Sequence, residues 1–577
     1  MKRALSVGVV GLVFLACGSD GRQRFTDGEP ALPGSSGGTS GGFDGKQGCQ
    51  AGGTVCVGND VHACADDGNA GAFVKSCDDT GEFCLGGSCS AGCDAAENQP
   101  SNVGCEFWAV DLDNEYADVN DAAGAPWGLV VSNFGTSPAN VVIERNDAPL
   151  GAAPAPAVVT SLTLAPGTLQ EITLPTREVD GSTSKGNGPG TMLSPNGYRV
   201  RSSMPVVVYQ FNTLKHSYSN DASLLVPKNG LGTIHRVVGW PTANPIALPI
   251  PGAPPIAGIP DHSYVTIVGT QPNTKVTVKL GGPIVGGGPI PAKNKGETVE
   301  VTLGAFDVLN LESTGIPGDL TGTIVESDAP VAVFTGGERG IAPMADGPPA
   351  PPDFDKQGFC CTDHLEEQVL PVTSYGKQFV VTRSPVRSQG GYVEPDLLRF
   401  MGVAATTVVK TSLPPPFDTF TLQPGEVKDA WTQGDFVVDA TEPLVVAQIL
   451  VSQGFTSGAV DGGDPALTIF PPTEQYRRDY LFNVPSSWSK NYVVVAAPPG
   501  TKVTLDGKDL VGCTIAPAGA VGGKTYEARR CLVTEGAHRM AGDAPFGIVA
   551  YGYGSRGSYA FVGGANVRKI YEPPPLK

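Results

Sequence analysis

Beyond residue 105 the apolar residues fall in short runs, closed off by Gly, Pro, Asn or Asp. "WGLVVSN" (127–133), "SYVTIVG" (263–269), "QFVVTR" (378–383) and "NYVVVAA" (491–497) are such runs. They are too short for amphipathic helices and rich in β-branched residues, so they predict strands. Turn residues punctuate the chain often enough for an all-β fold.

The runs recur in a fixed order. "GYRVRSSMPVVVYQ" (197–210), "GTIVESDAPVAVFT" (322–335), "GDFVVDATEPLVVAQ" (434–448) and "GAHRMAGDAPFGIVAY" (536–551) share a Gly, a Pro and then an apolar run. The prolines are Pro205, Pro330, Pro443 and Pro545. Proline cannot donate to a central ladder, so each segment predicts a strand, a kink and a second strand. "ANVVIE" (139–144), "TKVTVKL" (274–280), "TTVVKT" (406–411) and "TKVTLDG" (501–507) form another set. A third set follows the kinked strands: "NDASLLVP" (220–227), "DHLEEQVLP" (363–371), "GGDPALTIFPP" (462–472) and "RGSYAFVGG" (556–564).

The region 106–577 therefore reads as four antiparallel β modules, with approximate copies 106–240, 262–375, 376–480 and 481–577. Tandem β-sandwich-like modules fit this spacing. The alternative is a closed β-propeller-like ring. In its favour, the chain ends with a segment of the third set that could complete the sheet of the first copy. Pro-rich stretches at Trp240–Asp261 and Ala342–Phe359 interrupt the pattern.

The N-terminal part is organised differently. Lys2 and Arg3 precede an apolar run that ends in "FLAC", with Cys17 last. Residues 1–17 are expected to be a lipoprotein signal peptide with its lipobox, Cys17 being the lipidated residue. Gly18 follows, so the common Asp signal for inner-membrane retention is absent. The expected location is the outer membrane or cell surface, with the membrane reached through the lipid anchor only. Residues 18–48 are a Gly/Ser-rich tether. Its "GSSGG" matches a nucleophile-elbow pattern, but without a strand–turn–helix context that match carries no weight.

Cysteine usage adds a small module. Cys49, Cys56, Cys64, Cys77, Cys84, Cys89, Cys93 and Cys105 lie within 49–105. An exported segment this short predicts a disulfide framework whose connectivity the sequence does not give. Cys360, Cys361, Cys513 and Cys531 are further candidates. Cys513 and Cys531 flank one hairpin and predict a local bridge, leaving Cys360 and Cys361 for a vicinal bond or other partners.

The net charge of −18 excludes a phosphate-neutralising surface, so no nucleic acid partner is expected. Two acidic stretches invite a metal. In "DLDNEYADVND", Asp111, Asp113, Asp118 and Asp121 offer clustered oxygens for an irregular Ca2+ site. Tyr116 and Ala122 stand where a calcium-binding helix–loop–helix needs Gly and Glu, so the stretch is not that motif. In "DHLEEQVLP", Asp363, His364 and Glu366 form an alternative metal or acid–base cluster. The repeat reads the same segment as a strand with Leu365, Val369 and Leu370 apolar. No cofactor beyond a Ca2+ ion is implied. The histidines form no close pair, and a triad would require His364 or His538 to meet an acid and a Ser in a cleft.

"GCEFWAVDLDN" (104–114), "SSMPVVVYQFN" (202–212), "NDASLLVPKNGLG" (220–232) and "VESDAPVAVFTGGE" (325–338) resemble the N-terminal domain of the IgGFc-binding protein family, over about Cys105 to Tyr571. The resemblance implies binding or adhesion at the cell surface rather than catalysis, with an unknown protein or glycan ligand. The alternatives are a structural envelope protein without a specific ligand, or a hydrolase with an unrecognised site.

Overall fold

The computed structural model describes residues 49–576 apart from 50–51, 58–59, 78–81, 86, 116–121, 134, 180–189, 215–218, 244–260, 345–346, 356–360 and 487. The chain is all-β, with 51% of residues in strands. Among the described residues, no helix is long and apolar enough to cross a membrane. Cys17 and the tether lie outside the described residues.

Each repeat is built on one kinked strand that serves two sheets. In the first, Tyr198–Asn212 pairs through its first half with Gly104–Ala109 and Ala139–Asn146. Its second half pairs with Gly128–Asn133 and Asp221–Leu224. The changeover lies at Pro205, where the register on Gly104–Ala109 shifts. The missing proline N–H makes this the point where the strand can leave one ladder for another. Ile324–Gly340 and Gly536–Tyr553 repeat the plan. In the third repeat the strand breaks at Pro443 into Phe436–Ala440 and Leu444–Ile449, on separate four-stranded sheets.

Some pairings cross the expected copies. Gly232–Arg236, placed by sequence in the copy 106–240, pairs with Ile324–Gly340 of the next. Met192–Ser194 lies within the first repeat by sequence but pairs with Val308–Glu312 of the second. Arg477–Val484, which straddles the expected boundary between the third and fourth copies, pairs with Gly536–Tyr553. The last strand, Ser558–Val562, pairs with the kinked strand of its own repeat, so it does not complete the first sheet. A closed propeller of that kind is not what the ladders build.

The inner strands Gly128–Asn133, Ser263–Gly269 and Asp396–Gly402 are buried on both faces, whereas outer strands such as Pro156–Leu164 and Thr514–Val521 keep one exposed face. In Ser263–Gly269, Val265 and Ile267 enter the core of the second repeat. Tyr264 and Val268 face the other way and join the core of the first, beside Trp108 and Phe306. This explains why the strand reads as a continuous apolar run rather than a clean alternation.

The Cys-rich module is held by Cys49–Cys64, Cys56–Cys84, Cys77–Cys89 and Cys93–Cys105. Its small core consists of Val61, Cys77 and Cys84, with Cys56 and Cys89 packed against them. Asn229 of the first repeat donates to the Ala96 carbonyl at 2.9 Å, and Asn102 donates its N–H to the Ala565 carbonyl of the fourth at 3.1 Å. Cys513 and Cys531 are bridged. Cys361 is also disulfide-bonded, and the neighbouring Cys360 lies outside the described residues.

Candidate functional site

The third set of segments forms the closing strand of every repeat: Asp221–Leu224, Asp363–Gln368, Leu467–Ile469 and Ser558–Val562. Each lies on the second half of its kinked strand. Leu224, Gln368, Ile469 and Val562 stand opposite Tyr209, Phe334, Ala447 and Val549, each four residues past the kink proline. The four closing strands pack against one another at a common centre.

That centre is polar. The Asp221 carboxylate accepts N–H groups from Ala222 (2.9 Å), Glu366 (3.3 Å) and Leu467 (3.0 Å). The Ala560 amide of the fourth repeat stabilises the same carboxylate. Asp363 accepts from Asn220 at 2.6 Å and from Ser558 at 3.3 Å. Asp464 accepts from Gln453, and its own N–H donates to the Ser558 hydroxyl at 3.0 Å. Burial raises all three carboxyls. Asp221 and Asp363 go well above the usual range and Asp464 to about 7, against the lowering pull of these N–H groups.

"DHLEEQ" is a fully buried strand. Strand alternation sends Asp363 toward Asn220 and Ser558 and leaves His364 and Glu366 together on one face. Their side chains meet at 3.6 Å with no exposure. His364 is pushed down to about 3 and Glu366 well above its usual range, both by burial. Tyr264 lies over the His364 ring, with its hydroxyl 3.3 Å from Nε2, and donates to the Leu365 carbonyl at 2.9 Å. His538 contacts Asp506 through Nδ1 (2.8 Å) and the Thr534 carbonyl through Nε2 (2.7 Å). Neither histidine stands in a cleft beside a Ser and an acid.

The acidic stretch at 111–121 divides. Asp111 accepts the Arg177 N–H at 2.8 Å. Asp113 points elsewhere, against the carboxylate of Glu312 beside Gly190. Asp118 and Asp121 lie outside the described residues. Sequence reasoning missed Glu312, Glu338 and His262, whose ligand atoms all lie within 4.8 Å of one another. Only strand register brings them together, so no local pattern could have marked them.

An open groove of about 600 Å³ runs along the fourth repeat, lined by Trp488, Lys490, Tyr492, Leu532 and Glu535 among others. Leu532 is 69% exposed and stands opposite Tyr492 across the ladder.

The family model of the IgGFc binding protein matches residues 221–552. The chain belongs to the IgGFc-binding protein family. The match starts at Asp221, on the closing strand of the first repeat, and ends at Gly552, inside the last kinked strand. It is narrower than the span from Cys105 to Tyr571 that the sequence motifs suggest. The three central aspartates therefore lie within the IgGFc-binding match, as do His262, Glu312 and Glu338, while Asp113 precedes it. No curated protein and no solved structure matches the chain.

Proposed function

We propose that this IgGFc-binding family member is an extracytoplasmic binding or adhesion protein, tethered through Cys17, that presents its repeat array to a protein or glycan. The observation that carries this reading is the open groove of the fourth repeat. Trp488, Tyr492 and the exposed Leu532 supply apolar contact area, and Lys490 and Glu535 supply polar ends. Rigid aromatic side chains in a concave surface are economical recognition elements for peptide and sugar alike. Family membership favours a protein ligand, and the family name makes the Fc part of IgG the first probe.

Residues 49–577 immobilised on a sensor should bind IgG Fc, or glycans on an array, saturably. Leu532→Ser with Glu535→Ala, both at exposed positions of the groove, should reduce that binding at least tenfold while leaving the melting temperature unchanged. Binding unaffected by the double substitution, or no binding to either probe set, would remove the groove reading.

A further inference from the structure

We propose that His262, Glu312, Glu338 and Asp113 form a site for a divalent transition-metal ion of the zinc or manganese class, which clips residues 111–114 of the first repeat to the second. This inference is independent of the groove and of the binding function assigned to it.

The site is assembled at the ends of three adjacent strands. His262 precedes Ser263–Gly269, Glu312 ends Val308–Glu312, and Glu338 lies in Ile324–Gly340. Ser263 pairs with Gly337, and Tyr264 pairs with Glu312. The Glu338 N–H donates to the His262 carbonyl at 3.0 Å. This register brings one nitrogen and two carboxylate ligand atoms within 4.8 Å of one another. Coordinate bonds of about 2.0–2.2 Å to a shared ion fall within reach of small side-chain rotations.

The histidine sets this group apart from an acidic patch. His262 Nδ1 lies 2.6 Å from the Ser313 carbonyl oxygen. A carbonyl can only accept, so Nδ1 carries a proton, and in the neutral ring Nε2 is the nitrogen left to meet a metal ion. This is how metal-binding histidines are usually oriented, with the second nitrogen held by a carbonyl. Glu312 is oriented too, since its Oε2 accepts the Gly190 N–H at 2.6 Å.

Gly190 also joins the first repeat to the site. A Cβ there would collide with the carboxylates of Glu312 and Asp113 alike, so both oxygens lie against the same point. Asp113, Glu312 and Asp261 all bring like charge to bear on Glu338. A cation would offset that repulsion. Mixed imidazole and carboxylate donors suit zinc or manganese, whereas Ca2+ takes oxygen ligands alone.

The test uses residues 49–577 freed of metal by chelator dialysis. Titration with Zn2+ and with Mn2+ should show one site per chain that survives gel filtration, for at least one of the two ions. His262→Ala and Glu338→Gln should each weaken it by tenfold or more, with far-UV circular dichroism unchanged. His538→Ala should leave the affinity as it was. Ion loading should also slow amide exchange at residues 111–114. Equal binding in wild type and His262→Ala, binding of Ca2+ alone, or no stoichiometric binding would each overturn the proposal.

Discussion

The carboxylate of Asp221, on the closing strand of the first repeat, accepts the backbone N–H of Leu467 in the third at 3.0 Å. The same carboxylate serves Glu366 of the second repeat at 3.3 Å. One side chain thus satisfies buried backbone donors of strands far apart in sequence. Such donors, if left unpaired, would each carry a desolvation cost.

Replacing Asp221 with Ala should leave these N–H groups unpaired in a buried centre. The expected loss is about 3 kcal/mol or more of unfolding free energy, the range for a broken buried network. Asp221→Asn keeps one acceptor oxygen and should cost less. Urea unfolding followed by Trp fluorescence checks both, and equal stability of the Ala variant and the wild type would contradict the assigned role.

Stability should fall as the solution is made alkaline. Burial pushes Asp464 up to about 7, so the folded chain holds this proton more tightly than the unfolded chain. The stabilisation is complete below the ordinary carboxylate value of about 4 and is lost as pH rises through about 7. Asp221, Asp363, Glu366 and Glu367 are raised in the same sense. Glu144 and Glu394, which are lowered, do not titrate in this window. His235 and His364, pushed down to about 3, oppose the trend below the ordinary histidine value of about 6.5 but are outnumbered by the five raised carboxyls. The melting temperature should therefore be higher at pH 5.5 than at pH 8.5, and Asp464→Asn should reduce the difference. A flat profile in the wild type would count against the burial of these groups.

Gly336 should not tolerate a side chain. A Cβ there would run into the Leu365 carbonyl and the Tyr264 hydroxyl, which are hydrogen-bonded to each other. Neither group can move without opening the ladder between Ile324–Gly340 and Asp363–Gln368. Gly336→Ala should cost about 2–3 kcal/mol, read from chemical unfolding, while Gly434→Ala, at an exposed position with no neighbour to meet and no left-handed backbone, serves as a comparison for the added methyl alone.

Reduction should separate the two parts of the chain. The core of the Cys-rich module is largely its own disulfides, and loops of this size typically contribute about 3 kcal/mol per bridge. The repeats keep extensive aliphatic cores of their own. Under mild thiol treatment, limited proteolysis should cut within residues 49–105 first and leave the repeats intact. Simultaneous loss of both parts would show that the repeats depend on the module.

The strands and the repeat were legible because β-branched runs and the kink prolines act locally. "DHLEEQVLP" could be read as a repeat strand for the same reason. Its environment could not, because a strand with Glu at two positions reads as half-solvated until both faces are seen to be covered by other repeats. Register shows Asp363 and Asp464 at equivalent positions and Asp221 two residues further along. The cluster of His262, Glu312 and Glu338 was hidden for a related reason. Its members come from three strands, and only the pairing of Ser263–Gly269 with both neighbours places them together.

The central claim is that the four closing strands form one shared hub, so that the groove of the fourth repeat is carried on a single rigid body. Native-state hydrogen exchange of wild type and Asp221→Ala tests it most directly. The amides of Glu366, Leu467 and Ala560, in three different repeats, should be protected to a similar degree in the wild type and should lose protection together in the variant. Loss confined to Ala222 and its immediate neighbours, with the other three amides unchanged, would contradict it.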